Sequence, residues 1–177
     1  MRADWISFLR STGADRVEHS GERLLDHLAA THELLAGWGV RQAVCDAALF
    51  HSVYGTQFLE DTVVGLERRE EVRARIGAEA EELVWLWHGV RRKSLAENLE
   101  RSGDFRLERL DGEVVPLSEQ QFHDLVDLMI ADAVEQLPRR RAQDRKRQRD
   151  WLTPFLPLAT PAAAAAAREL FAGADEE

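Results

Sequence analysis

Two histidines and one aspartate of this 177-residue chain fall on faces that otherwise read as core. On a helical wheel of about 100° per residue with Leu125 at zero, Phe122, Met129, Asp132 and Gln136 all lie within about 60° of it. Asp132 therefore faces inward, while Asp124 and Asp127 fall on the outer side and His123 points away. His27 shares an apolar face with Leu24, Thr31, Leu34, Leu35 and Trp38. His51 closes the greasy run in "DAALFHSVYGT", residues 46–56. A carboxylate on a core face needs a cation, a metal or several hydrogen-bond donors. Neutral imidazoles with a carboxylate are the ligand types of a divalent transition metal. The other reading of the same three positions is three separate core polar groups, each satisfied by its own hydrogen bonds.

The elements that must carry these residues are helical. A short helix is expected over "DWISFLRS" and a strong one from Gly21 to Trp38, stopped by Gly39. A nearly all-apolar one runs from Gln42 to about Val53 and is expected to be buried. Residues 57–65 read as loop, and "LERREEVRARIG" as a surface helix. Ala78 to Arg92 is amphipathic, with Ala80, Leu83, Trp87 and Val90 in line and Trp85 facing away. Alternation around Asp111-Gly112 in "FRLERLDGEVVPL" predicts one small inserted β-hairpin at about 105–117. Ser118 is placed as the N-cap of a helix reaching Leu137. "RRRAQDRKRQRDWL" reads as a basic helix or arm. The fold class expected is all-α, a helical bundle over residues 1–152. A Pro-containing linker and an Ala-rich C-terminal helix, residues 153–177, pack on the same domain, and the "GADEE" tail is expected to fray.

Composition narrows the functions. The net charge of −9 argues against a nucleic-acid partner. "MRADWISFLR" lacks the long apolar stretch of a secretory leader, and "PAAAAAA" is too short and too weakly apolar to span a bilayer. A cytoplasmic chain without a membrane partner is expected. The single cysteine, Cys45, sits in an apolar run and reads as small core filler.

"HSGERLLDHLAATHELLAGWGVRQAVCDAALFHS" resembles the HD-domain superfamily of metal-dependent phosphohydrolases, and most of all the hydrolase domain of the RelA/SpoT alarmone enzymes. In that family an "SGEP" turn, a His and a later "ALLHD" follow one another. Here "SGE" begins at Ser20, His27 takes the first His position, and "AALFHS" puts His51 at the second. "IGAEAEELVWLWHGV" is similar to the family's "FGEEVAELVEGVT", and "LVDLMIADAVEQL" to its "LADRL" segment. The resemblance implies an HD-like bundle and metal ligands His27, His51 and Asp132, with Mn, Fe or Zn as the cation.

The chain also departs from that pattern. The family's second His is followed by a metal-binding Asp; here Ser52 stands there. The Glu-Asp pair of "HDVVEDT" is replaced by Gly55 and Thr56. A reduced two-His, one-carboxylate set with open positions remains. It fits a mononuclear metalloenzyme with altered chemistry, an HD-type iron oxygenase drawing on His88 and His123, or a degenerate ligand-binding or interaction module. Ordinary guanosine-tetraphosphate hydrolysis is not expected. Tyr54 and His19 are the candidates for proton transfer, and Ser52, Thr56 and His88 for substrate contact. The basic run Arg139, Arg140, Arg141, Arg145, Lys146, Arg147 and Arg149 could guide an anionic or phosphorylated small molecule. Trp85, facing away from its own stripe, and the Ala-rich C-terminal helix leave a homodimer open.

Overall fold

A computed structural model describes residues 2–59 and 61–173. The helices are α1 (Ala3–Ser11), α2 (Leu24–Gly37), α3 (Gln42–Ala48), α4 (Arg69–Ile76), α5 (Ala78–Gly89), α6 (Arg92–Glu97), α7 (Glu119–Gln136), α8 (Ala142–Leu152) and α9 (Pro161–Gly173). Two antiparallel strand pairs accompany them, β1 (Glu18–His19) with β2 (Glu22–Arg23) and β3 (Arg106–Glu108) with β4 (Val114–Pro116). The chain is thus predominantly helical with small hairpins. The expected "GADEE" tail lies outside the described residues. No described helix is long and apolar enough to cross a membrane.

The long helix α7 is central. Its start is fixed by a capping box, in which the Ser118 side chain accepts from the Gln121 N–H while the Gln121 side chain accepts from the Ser118 N–H. Phe122, Leu125, Val126, Leu128 and Ile130 are fully buried along it. It packs against α2, α3, α5 and α9, so it is covered on more sides than a surface helix. This overturns the expected outer position of Asp124 and Asp127, which are buried. The chain returning toward α9 covers that face: the Thr160 N–H and hydroxyl donate to Asp127 Oδ1 at 2.8 and 3.2 Å, and Arg41 pairs with Asp124 at 3.3 Å.

The inserted hairpin forms as expected, with Leu107 opposite Val115 and Gly112 at φ +88° in the turn. A second hairpin was missed. Ser20 and Gly21 both take positive φ, +52° and +88°, and fold His19 back onto Glu22. Such a turn suits tight hairpins, so α2 begins at Leu24 rather than Gly21. The buried run after Gln42 is also shorter than expected: α3 ends at Ala48, and His51 sits in the turns that follow. The Pro-containing segment is a 3₁₀ helix, Thr153–Leu158, that buries Phe155 and Leu156. Behind it α9 packs Ala163, Ala164 and Ala167 into the core.

Candidate metal centre

Helix α2 carries His27, the turn after α3 carries His51, and the last third of α7 carries Asp132. Both histidines are fully buried. His27 Nε2 lies 3.2 Å from His51 Nε2 and 3.2 Å from Asp132 Oδ1, and His51 Nε2 is 3.4 Å from the same oxygen. The remaining ring nitrogens are held from behind. The His51 Nδ1–H donates to the Ala48 carbonyl at 2.6 Å, and the His27 Nδ1–H donates to Glu135 Oε2 at 2.5 Å. Imidazoles anchored in this way turn their Nε2 atoms toward one point. At metal–ligand distances of about 2.1 Å, separations of 3.2–3.4 Å correspond to ligand–metal–ligand angles of roughly 100–110°, within the range of tetrahedral and distorted octahedral sites. The cluster could therefore hold a metal ion.

Asp132 is held in turn. Gln136 Nε2 donates to Asp132 Oδ1 at 2.7 Å, and the Gln136 oxygen accepts from Ser20 Oγ at 2.7 Å and from Arg140. The Ser20 turn thus ties the first hairpin to the ligand helix and brings His19 in. His19 and His27 have ring centroids 4.6 Å apart, and donor atoms of His19, His27 and Asp132 lie within 4.8 Å of one another. Behind His27, Arg139 bridges Glu135 and Glu22 at 2.6 and 2.7 Å.

Electrostatics at the cluster are strongly biased. Burial works against protonation of His27, but its hydrogen bonds to Asp132 and Glu135 outweigh that and raise its pKa to about 9. Burial opposes the charge on Glu135 too, and the bonds from His27 and Arg139 still bring it down to about 2. Asp132 is held well below the usual carboxylate range, its burial offset by the two histidines. His51 is pushed down by its own burial, and His19 falls to about 4 through burial and the neighbouring His27.

The cluster opens on a cleft of about 740 Å³, whose walls include His19, Ser52, Thr56, Trp87, Arg92 and Asp132. Of the residues expected from sequence, the structure brings together His19, His27, His51, Ser52, Thr56 and Asp132. Tyr54 and His88 do not join them. The Tyr54 hydroxyl donates to buried Glu81 at 3.1 Å, and His88 Nδ1 lies 3.1 Å from the Gly55 carbonyl. His123 is elsewhere, in a small groove with Asp124 and Asp127. The Thr56 hydroxyl is committed locally, accepting from the Phe58 and Leu59 N–H groups. Gly55 has φ +79°, and a Cβ there would meet the Leu59 carbonyl at 3.0 Å, so the turn itself requires glycine where the resembled family has a carboxylate.

Sequence reasoning missed Glu135, Arg92 and the role of Gln136. Glu135 and Gln136 follow Asp132 by three and four residues, the helical spacing that brings side chains together, so that signal was available. Arg92 had none, since it reaches the cleft only because α5 ends at Gly89 and the chain turns there.

Residues 8–92 match a domain of unknown function, DUF6817. The matched segment takes in His19, His27, His51 and Arg92 and ends before Asp132. No curated protein and no solved structure matches the chain.

Proposed function

We propose that the cleft is the active site of a divalent-metal-dependent enzyme of HD-superfamily type, acting on a small anionic or phosphorylated molecule by chemistry other than ordinary guanosine-tetraphosphate hydrolysis. The observation that carries this reading is the convergence of two anchored, buried Nε2 atoms and one carboxylate oxygen at 3.2–3.4 Å, the carboxylate being that of Asp132 on the wall of an open cleft. Three such groups repel one another unless a proton or a cation lies among them. His27, His51 and Asp132 would hold the ion, with His19 beside it. When bound, it would polarise a substrate oxygen or lower the pKa of a water.

The chain's own residues do the rest. Glu135 and the Ala48 carbonyl keep the Nδ1 protons in place, so each histidine presents its Nε2 lone pair. Gln136 orients Asp132 and, through Ser20, the hairpin that carries His19. The nearby cations, Arg92 and Arg140 among them, favour a negatively charged ligand.

Mn, Fe and Zn all suit an imidazole–carboxylate set. The test is elemental analysis of protein purified without chelator, beside His27→Ala and Asp132→Ala. About one metal per chain, lost in both variants, is the expected result. No metal after dialysis against all three ions would overturn the reading.

One observation favours a second reading, a metal-free ligand-binding module. With its pKa raised to about 9, His27 can remain an imidazolium between Asp132 and Glu135, and the cluster then neutralises itself. Under that reading added metals leave the melting temperature unchanged, because only a ligand of the native state stabilises it.

A further inference from the structure

We propose that Arg92, seated on the ring of Trp87, is the residue that grips the oxyanion of the cleft's ligand and sets the specificity of the site. The inference takes from the preceding reading only that the cleft binds a ligand; it does not require the metal.

Arg92 lies at the start of α6, where the chain leaves the cleft wall. Its Cζ stands 3.3 Å from the centroid of the Trp87 ring, and that ring in turn packs edge-on to His51 with centroids 6.0 Å apart. The guanidinium is thereby fixed one aromatic layer from the candidate ligands. Among the described residues no carboxylate or carbonyl bonds it, and its Nη1 is shut off from water without an acceptor. This state is costly for a charged donor. Other guanidinium groups of this chain sit in ion pairs: Arg69 and Arg73 on Glu81, Arg139 on Glu135 and Glu22. Among the described residues, the carboxylate whose charge reaches Arg92 is Asp132, a candidate metal ligand.

A planar fork held by stacking, with its donors unspent, is suited to two oxygens of one anion. The surroundings agree with that. Lys93, Arg140 and Arg147 also line the cleft, so that with Arg92 its cations outnumber its carboxylates, Glu18, Asp132 and Asp144, in a chain of net charge −9. Arg140 is engaged with Gln136, and Arg147 lies 3.8 Å from Asp144. That leaves Arg92, with Lys93 beside it, to receive the ligand. A phosphate monoester and a carboxylate share the chemistry that this fork recognises.

Calorimetric titration of the full chain with inorganic phosphate, and separately with acetate at matched ionic strength, tests this. Each titration is run after chelation and again after metal loading. In wild type one anion per chain is expected to bind in both states. Arg92→Gln should weaken it about 10- to 100-fold, the scale of lost hydrogen bonds to a charged group. Arg92→Lys should fall between, keeping charge but losing the fork, and exposed Arg10→Gln on α1 should behave as wild type. Stronger phosphate binding assigns a phosphoryl group, and stronger acetate binding a carboxylate. Wild-type anion affinity in both Arg92 variants, or no binding of either anion to wild type, overturns the proposal. Metal content measured on the same samples keeps the two ideas apart. Absence of metal with Arg92-dependent anion binding removes the enzyme reading alone, while stoichiometric metal without it removes this one alone.

Discussion

Glu135 Oε2 lies 2.5 Å from His27 Nδ1, on the side of the ring opposite Asp132. One imidazole thus joins two carboxylates: Asp132 at the cleft wall, and Glu135 behind it, tied to Arg139. Partners of this kind fix the tautomer of a ligating histidine and raise its basicity. Glu135→Gln keeps the size and one acceptor but removes the charge. We expect it to fold and to lose about 10- to 100-fold in metal affinity, measured by competition with a chromogenic chelator. Wild-type affinity in this variant would mean that Glu135 does not position His27.

The chelated protein should lose stability as the solution turns alkaline. The pKa of His27 is raised from 6.5 to about 9, because Asp132 and Glu135 outweigh its burial. A native state that holds a proton more tightly than the unfolded chain is stabilised by it. That contribution is complete below pH 6.5 and fades as the pH rises through 9. Thermal melts between those limits should show a fall of several degrees, since 1 kcal/mol corresponds to about 2–4 °C in a domain of this size. His27→Gln should flatten that slope. Glu135 acts in the opposite sense, its stabilisation present above pH 4.5 and lost as the pH falls toward 2. A divalent ion must displace the His27 proton, so the apparent metal affinity should rise over the interval in which the chelated protein weakens.

How far the site could be read from sequence depended on whether local periodicity determined it. The α7 pattern turned Asp132 inward because Leu125, Phe122 and Met129 lie on one face of a long, capped helix. The same wheel misplaced Asp124 and Asp127, because it assumes one buried face and α7 has neighbours all round. The Asp111-Gly112 turn announced its hairpin, whereas Gly21 reads as the start of a helix that begins only at Leu24. Tyr54 follows His51 by three residues, a spacing that brings side chains together only on a continuous helix. Here the chain has left α3 at Ala48, and the ring turns to Glu81 instead.

Tyr54→Phe therefore separates closeness in sequence from closeness in space. Its hydroxyl donates to Glu81, which Arg69 and Arg73 also hold, and burial together with Glu81 pushes the phenol above its ordinary range. Removing the hydroxyl leaves that carboxylate its two guanidinium partners. Stability should drop by about 0.5–1.5 kcal/mol in denaturant melts, with metal content and phosphate affinity unchanged. Glu81→Ala leaves the cations without their buried partner and should cost about 3–5 kcal/mol. A loss of metal in Tyr54→Phe would return this residue to the site.

Ser52→Asp tests the position beside the second histidine. Ser52 is 2% exposed and lines the same cleft as Asp132. An added carboxylate there would be buried near one that is already ionised, so the chelated variant should melt below wild type. A cation reverses the sign, because a second oxygen ligand then becomes attractive. We expect the metal-induced rise in melting temperature to exceed that of wild type, and the metal to survive dialysis that strips the parent. If the variant melts lower by the same amount with and without Mn, Fe or Zn, position 52 does not face the ion, and the cleft wall beside His51 serves only to shape the pocket.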